Sequence, residues 1–241
     1  MSDRVKSLVF AAVMCLVISL LLTTASTGLQ RYQQQNVLID KHKNILQSVG
    51  LIDPGQKIDA VAVERLYGES IKPLWVDSTG RLIEEKDRGK QSLPVYVHLK
   101  DGRIEAYIIP INSKGLWGRI LGYLALEADG STVAGFTVYK HSETPGLGGE
   151  IEKRWFQKNW IGKRIVDQSG EFVSVAIAKG KVEEMIPEQK KPNYVDGISG
   201  ATLTGRFLTA GIRQTLQQYE PVSIKFRNHP AAKRPLTKSG S

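Results

Sequence analysis

The sequence has very little cysteine and histidine. The one cysteine, Cys15, lies in an apolar run, and the histidines follow no ligand spacing. An intrachain disulfide, a cysteine-ligated metal and an iron-sulfur cluster are therefore excluded, and we expect no metal site. The fingerprints of dinucleotide-binding and P-loop folds are also missing, so we predict that this chain binds neither NADH nor ATP. The histidines are His42, His98, His141 and His229.

Acidic residues are missing after Glu220, although the chain has 241 residues and a net charge of +9. We predict a basic, solvated C-terminal tail over residues 222–241 that contacts anionic lipid or an acidic partner subunit. Nucleic acid binding is not expected, because no basic helix or aromatic-studded basic strand accompanies this charge. The basic residues of the tail are Lys225, Arg227, Lys233, Arg234 and Lys238.

Charge is also absent from residues 7–25, which are almost entirely apolar. At about 1.5 Å per residue, this run nearly reaches the ~30 Å of a bilayer core, which predicts a transmembrane helix over residues 7–26. A cleaved signal peptide is the alternative, but it has a shorter apolar core. Arg4 and Lys6 place residues 1–6 in the cytoplasm. The remaining chain is then periplasmic and anchored to the inner membrane of a bacterium.

The following chain is predicted to be α+β, with a largely antiparallel sheet and flanking helices. Residues 27–90 are interpreted as a stalk and the N-terminal part of the periplasmic region, and residues 91–221 as the main domain. Asp101-Gly102 and Asp129-Gly130 each predict a hairpin turn between segments of period two. Predicted strands cover residues 94–99, 103–109, 123–127, 133–139 and 172–178, and predicted helices cover residues 28–48, 58–67, 151–160 and 203–219.

Hydroxyl groups and glycines alternate just before the last predicted helix. This segment runs from Asp196 to Thr204 and contains Ser199, Gly200, Ala201 and Thr202. Glycines allow a bulky group to approach, and a helix N-terminus favours an anion, so the segment is suited to phosphate. The alternative is a loop in which Ser199 or Thr202 caps the helix. A serine-hydrolase elbow is excluded, since it needs glycine at the position of Ala201.

A second glycine-rich loop covers residues 141–149, at the end of a predicted strand. Its glycines permit a tight cradle, in which Leu147 lies on a flat ring and either Thr144 or backbone N–H groups bind the edge of the ring. We expect Glu143 to bond to backbone or to a cofactor, with Gly146 and Gly148 forming the cradle. The alternative is a purely structural turn. Upstream, Trp117 is expected to pack over a glycine turn within residues 114–118, and the alternative is stacking on the flat ring.

These three segments occur in the order found in FMN-binding domains of respiratory subunits, which residues 90–220 resemble. The long N-terminal region is similar to the NqrC family of sodium-translocating NADH:quinone reductases, rather than to the shorter RnfG proteins of Rnf ferredoxin:NAD complexes. The resemblance implies that a flavin transferase moves FMN from FAD onto Thr202 through a phosphoester bond. It also implies that the Asp196 carboxylate serves that transfer.

The function implied by the resemblance is electron transfer within a membrane complex. That complex couples NADH oxidation and ubiquinone reduction to sodium export, and this chain contacts the other subunits. The alternatives are the equivalent RnfG protein of an Rnf complex and a flavin-free periplasmic binding or assembly module.

Overall fold

The computed structural model describes residues 2–228, apart from the side chains of Arg31 and Tyr32. The chain divides into two compact units, Met1–Asp40 and Lys41–Ser241. The helix α1 (Asp3–Ser48) begins in the first unit. Its segment Asp3–Gln30 has a mean hydropathy of 2.6 and is long and apolar enough to cross a membrane. This confirms the predicted N-terminal apolar helix, and the predicted stalk helix is its continuation.

The last turns of α1 belong to the second unit, where they pack on the sheet. Ile45 and Leu46 are fully buried. The Asn44 carbonyl accepts a hydrogen bond from the Thr137 hydroxyl at 3.3 Å. A Cβ on Gly135 would lie 2.4 Å from the Ser48 carbonyl oxygen, so glycine is what allows the helix to approach here.

A six-stranded antiparallel sheet forms the centre of the second unit, as predicted. The two predicted hairpin turns join its third and fourth strands and its fifth and sixth strands. At the first turn Asp101 and Gly102 have φ of 51° and 73°, the left-handed values that a type I′ turn requires. The strands, in chain order, are β1 (Ile71–Val76), β2 (Leu82–Ile83), β3 (Leu93–Lys100), β4 (Arg103–Lys114), β5 (Arg119–Glu127) and β6 (Val133–Lys140), and their order in the sheet is β2-β1-β3-β4-β5-β6.

The sheet begins earlier in the chain than the boundary predicted at residue 91. Strand β1 pairs with β3 along its whole length, although it lies in the region interpreted as the stalk and the N-terminal part of the periplasmic region. Pro73 argues against a strand in the sequence, because proline cannot donate a ladder hydrogen bond. It is tolerated here because β2 pairs only with Trp75 and Val76, which leaves Pro73 at an open edge.

The C-terminal helix α5 (Thr202–Asn228) packs on β4. A Cβ on Gly211 would lie 2.0 Å from the Ser113 hydroxyl oxygen, so the helix and the strand are in close contact. The buried side chains of α5 recur every three or four residues, as expected for one face of a helix. They include Leu208, Ile212, Leu216, Tyr219, Val222 and Phe226.

The helix α5 does not end where a tail was predicted to begin. It continues through Pro221 to Asn228, and Phe226 stacks on Tyr107 with 4.5 Å between ring centroids. Residues 222–228 are therefore part of the packed helix, which corrects the start predicted for the solvated tail. Proline suggests a helix end, but here packing of the following apolar residues outweighs its missing hydrogen bond. Lys233, Arg234 and Lys238 lie outside the described residues.

Shorter elements connect the sheet to α5. The predicted helix over residues 151–160 is divided into the 3₁₀ turn Gly148–Glu152 and α3 (Arg154–Lys158). The predicted strand over residues 172–178 is reduced to β7 (Ala176–Ile177), which pairs in parallel with β8 (Tyr194–Val195). The other helical elements are α2 (Ala60–Ser70), α4 (Val182–Met185) and the 3₁₀ turns Glu85–Asp87 and Glu188–Asn193.

Candidate functional site

The loop over residues 196–201, which we call the threonine loop, joins β8 to the start of α5 at Thr202 and lies directly on the backbone after β7. The Gly197 amide donates a hydrogen bond to the Gly180 carbonyl at 2.8 Å. A Cβ on Gly197 would lie 2.3 Å from the Ala178 carbonyl oxygen, so only glycine fits this close approach. Gly200 has a φ of +72°, which favours glycine for the turn into α5.

Asp196 holds the start of this loop. Its Oδ1 accepts a hydrogen bond from the Val182 amide at 2.8 Å, and its Oδ2 lies 3.5 Å from Lys181 Nζ. The carboxylate is thus bonded at the beginning of α4. The structure gives Asp196 a supporting contact, whereas the resemblance implied a part in the transfer step.

Thr202 and Thr204 have opposite environments, although both carry hydroxyl groups on the first turn of α5. Thr202 and Ser199 are exposed, and neither side chain makes a hydrogen bond among residues 2–228. The predicted capping bond from either side chain is therefore not observed. Thr204 is 2% exposed, and its hydroxyl donates to Glu143 Oε2 at 2.5 Å.

The Glu143 carboxylate connects its own loop to the turn at Trp117 and to the first turn of α5. The side chain is 5% exposed, and Oε1 accepts a hydrogen bond from the Trp117 amide at 3.1 Å while Oε2 binds Thr204. Cβ atoms on Gly115 and Gly148 would lie 2.5 and 2.8 Å from its two carboxylate oxygens. Of the two roles predicted for Glu143, the structure shows the bond to backbone.

The topology of the sheet explains why these loops meet. Residues 115–118 form the turn between β4 and β5, closed by a 2.7 Å bond from the Gly115 amide to the Gly118 carbonyl. Because β5 runs antiparallel to β6, the start of β5 lies beside the end of β6, and residues 141–149 follow there. The Ser113 hydroxyl donates to the Phe207 carbonyl at 3.1 Å, which holds the first turns of α5 at the same end of the sheet.

A second layer of polar contacts lies behind Glu143. The Glu143 amide donates to His141 Nδ1 at 3.1 Å, and His141 Nε2 lies 3.1 Å from Glu152 Oε2. Since Nδ1 accepts, Nε2 carries the hydrogen that faces Glu152. Hydrogen bonds from Lys153 and from His141 lower the pKa of the Glu152 carboxyl. The contacts of His141 with Glu143 and Glu152 therefore hold the loop over residues 141–149 from its outer side.

The predicted ring-binding loop is folded on itself and contacts the threonine loop. Amides of Leu147 and Gly149 donate to the Thr144 carbonyl at 3.1 and 2.9 Å. Gly146 has a φ of +74°, and the exposed stretch includes the Thr144 side chain. Leu147 is 43% exposed, and a Cβ on Gly200 would lie 2.7 Å from its Cδ2 atom. The two segments singled out in the sequence are therefore in contact.

Further exposed apolar side chains occur at this end of the second unit. The Trp117 side chain is 70% exposed, so the expectation that it packs over the glycine turn is wrong. Its backbone amide is held by Glu143, and its ring lies in solvent. Leu116 and Leu203 are also exposed. Flat apolar groups bind to surfaces of this kind.

A narrow cleft beside Thr202 is lined by two basic side chains that were not predicted from the sequence. It is lined by Thr202, Lys179 and Arg206, together with apolar residues such as Ile177 and Ile198. Arg206 follows Thr202 by one helical turn, a spacing visible in the sequence. Lys179 is brought in by β7, and no sequence signal identifies it. An exposed hydroxyl beside two cations is chemically suited to a bound phosphate.

A model of the FMN-binding domain family matches residues 115–217. The NqrC protein of the Na(+)-translocating NADH-quinone reductase from Yersinia pestis is 34% identical over 229 residues, which cover 83% of each chain. Its counterpart from Pseudomonas aeruginosa is 33% identical, and the match covers 83% of this chain and 87% of that relative.

Solved structures show the same fold. The crystal structure of the NqrC protein of the Na(+)-translocating NADH-quinone reductase from Parabacteroides distasonis has a TM-score of 0.67 and 33% identity, and the match covers 81% of this chain and 96% of that chain. NqrC from Shewanella oneidensis has a TM-score of 0.64 at 22% identity, with 82% and 99% covered.

Proposed function

Because the chain belongs to the NqrC family of Na(+)-translocating NADH-quinone reductases, we propose that it is an electron-transfer subunit with FMN bound covalently to Thr202. The family model supports FMN as the cofactor. The observation that carries the site assignment is the contrast between the exposed Thr202 hydroxyl and the buried Thr204 hydroxyl. A flavin transferase can reach the first of these and not the second.

The proposed attachment forms one phosphoester bond. The Thr202 oxygen bonds to the phosphorus in the FMN half of FAD, the P–O bond of the diphosphate breaks, and AMP leaves with the electron pair. The hydroxyl proton is released to the transferase or to solvent. Residues Ser199, Gly200 and Ala201 shape the approach to Thr202, and Asp196 holds the loop through the Val182 amide.

The surrounding residues fit FMN. Gly200 allows the Leu147 side chain to approach the threonine loop, and the exposed Leu147 and Trp117 side chains offer an apolar surface for the ring. The exposed Thr144, Gly146 and buried Gly148 complete the loop beside it. When bound, FMN supplies the redox chemistry, and the protein sets its position and surroundings. Glu143 contributes by holding the loops together.

The N-terminal helix anchors the proposed subunit in the bacterial inner membrane. The segment Asp3–Gln30 spans the bilayer, and Arg4 and Lys6 keep the short N-terminus in the cytoplasm. The second unit is then periplasmic, where a covalent tether prevents loss of FMN. Other subunits of the complex supply and remove electrons, and the complex couples NADH oxidation and ubiquinone reduction to sodium export. We do not retain the RnfG alternative, since the relatives from Yersinia pestis and Pseudomonas aeruginosa described above are NqrC proteins.

The experiment that tests this proposal is the intact mass of the full chain, co-produced in membranes with the flavin transferase and FAD. We expect one FMN phosphoester in the wild type, located on Thr202 by peptide mapping, and none in Thr202→Ala. Ser199→Ala is the matched control and should be fully loaded. An unmodified wild type would contradict the proposal and favour a flavin-free module. Flavin on Thr204 would overturn the site assignment alone.

A further inference from the structure

Two basic side chains flank Thr202 in a single cleft and have no partner among residues 2–228. Lys179 and Arg206 line this cleft with Thr202, and both side chains are exposed. Within the described part of the chain, neither makes a hydrogen bond or an ion pair. Both charges are therefore available to an anion placed at the Thr202 oxygen.

The position of Lys179 is set by hydrogen bonds on either side of it. The Ala178 amide donates to the Val195 carbonyl at 2.9 Å, and the Gly180 carbonyl accepts from the Gly197 amide at 2.8 Å. Both partners lie at the base of the threonine loop. The Lys179 backbone is thus tied to the threonine loop that precedes Thr202, although Lys179 and Thr202 are 23 positions apart in the chain.

Arg206 reaches the same place along the helix. Side chains four residues apart on an α-helix are neighbours, so Arg206 lies beside Thr202 on α5. Gly205, between them, also lines the cleft and leaves it open. The two cations therefore approach Thr202 from different elements, one from the chain after β7 and one from α5.

Two neighbouring lysines already form ion pairs. Lys181 lies 3.5 Å from Asp196, and Lys191 forms ion pairs with Glu183 and Glu188 at 2.5 and 2.6 Å. Arg213 and Lys190 have no such partner among residues 2–228, but they line another cavity. Unlike these four residues, Lys179 and Arg206 both have an available charge and lie beside Thr202.

We infer that Lys179 and Arg206 form the phosphate subsite of the tethered FMN and neutralise the phosphodiester at Thr202. This inference rests on the proposed function. A phosphodiester carries one negative charge and acceptor oxygens, and charge-assisted hydrogen bonds from lysine and arginine suit it. The two residues hold the phosphate against the protein, so that the tether does not swing freely.

The test is ³¹P NMR of the flavin-loaded full chain in detergent. The reference is the phosphodiester signal of the flavin peptide released from the same protein by proteolysis. We expect the loaded wild type to show a signal displaced from this reference, and Lys179→Gln/Arg206→Gln to lose at least half of the displacement. Arg213→Gln/Lys190→Gln is the matched control, since it removes the same charge outside the cleft, and it should keep the wild-type signal.

Salt gives a second measurement on the same samples. High salt screens exposed charge pairs, so the wild-type signal should move towards the reference while the signal of the cleft variant barely moves. Lys179→Gln and Arg206→Gln alone are measured in the same way and should each show a partial loss. If the double variant does not take up FMN, the ³¹P displacements of these two single variants test the phosphate subsite instead.

An unchanged ³¹P signal in the cleft variants would overturn the inference, and so would an equal change in the matched control. The proposed function is judged separately by mass. If the wild type carries FMN on Thr202 and the cleft variants match it in the ³¹P spectrum, only the phosphate subsite is wrong. If the wild type carries no FMN, both fail.

Discussion

The two faces of the first turn of α5 differ in what surrounds them. On the open face, the Thr202 hydroxyl is exposed and lies beside two available cations. On the other face, Thr204 belongs to a support cluster, which we define as the Thr204 hydroxyl, the Glu143 carboxylate, the Trp117 amide and the glycines Gly115 and Gly148. Two residues of helix correspond to a rotation of about 200°, which separates the two hydroxyls. A single turn of helix therefore exposes one hydroxyl to solvent and uses the other to hold the loops.

The largest expected effect is on the open face. Thr202→Ala should abolish covalent flavin, because the attachment atom is gone, whereas Thr202→Ser should retain it. The free energy of unfolding of the unloaded protein should change by less than about 0.5 kcal/mol, since the side chain is exposed. Intact mass and urea denaturation of the second unit measure the two quantities. Flavin in Thr202→Ala would remove the distinction between the two faces.

Breaking the support cluster should lower the free energy of unfolding, in contrast to the changes at Thr202. Thr204→Val leaves Glu143 Oε2 without its hydroxyl donor in a buried site, which we expect to cost about 2–3 kcal/mol of unfolding free energy. Thr204→Ser keeps the donor and should cost less than half as much. Urea denaturation checks both. Equal stability of the valine variant and the wild type would show that Thr204 does not support the site.

Two glycines test the difference between the two faces, because Gly148 lies in the support cluster and Gly205 lies on the open face. Gly148→Ala would place a Cβ 2.5 Å from the Thr204 hydroxyl oxygen, so we expect a loss of about 1–2 kcal/mol by overpacking. Gly205→Ala is the matched control. A Cβ there lies 3.4 Å from Ile177 Cγ2, an ordinary contact, and alanine in a helix should stabilise by up to about 1 kcal/mol. A change of the same sign in the free energy of unfolding of both variants would contradict this account.

Substitutions of Asp196 test whether its carboxylate holds the threonine loop through a hydrogen bond or takes part in the flavin transfer. Asp196→Asn can still accept from the Val182 amide, so we expect loss of only a few tenths of a kcal/mol and retained flavin loading. Asp196→Ala should cost about 1 kcal/mol and slow loading. Loading rate by mass is the measurement. An asparagine variant as slow as alanine would assign Asp196 to the transfer step.

The smallest expected effect is a pH dependence in the outer layer. The lowered pKa of Glu152 means that its stabilising contribution is present above the ordinary carboxyl pKa and is lost as pH falls through the lowered value. The side chain is partly exposed, so Glu152→Gln should cost below about 1 kcal/mol at neutral pH and nothing in acid. Urea denaturation at several pH values checks this. A cost that persists in acid would point to packing instead.

Much of the fold was predictable because its signals are local. The two Asp-Gly turns, the strands beside them and the long apolar run all follow from neighbouring residues, and they are confirmed. The extent of α5 and the strand β1 were missed. Pro221 and Pro73 each argue against the element that contains them, and distant partners, such as Tyr107 for Phe226 and β3 for β1, outweigh that preference.

The sequence by itself indicated which three segments to consider as the candidate site, because their glycines and hydroxyls occur in a specific order. It did not show that Thr204 is buried while Thr202 is exposed, or that Glu143 points inward and Trp117 outward. Tertiary structure decided these points, since burial depends on which strand ends lie side by side. The antiparallel pairing of β5 and β6 brings Glu143 to the Trp117 amide and to Thr204, and the rotation of α5 then leaves Thr202 in solvent.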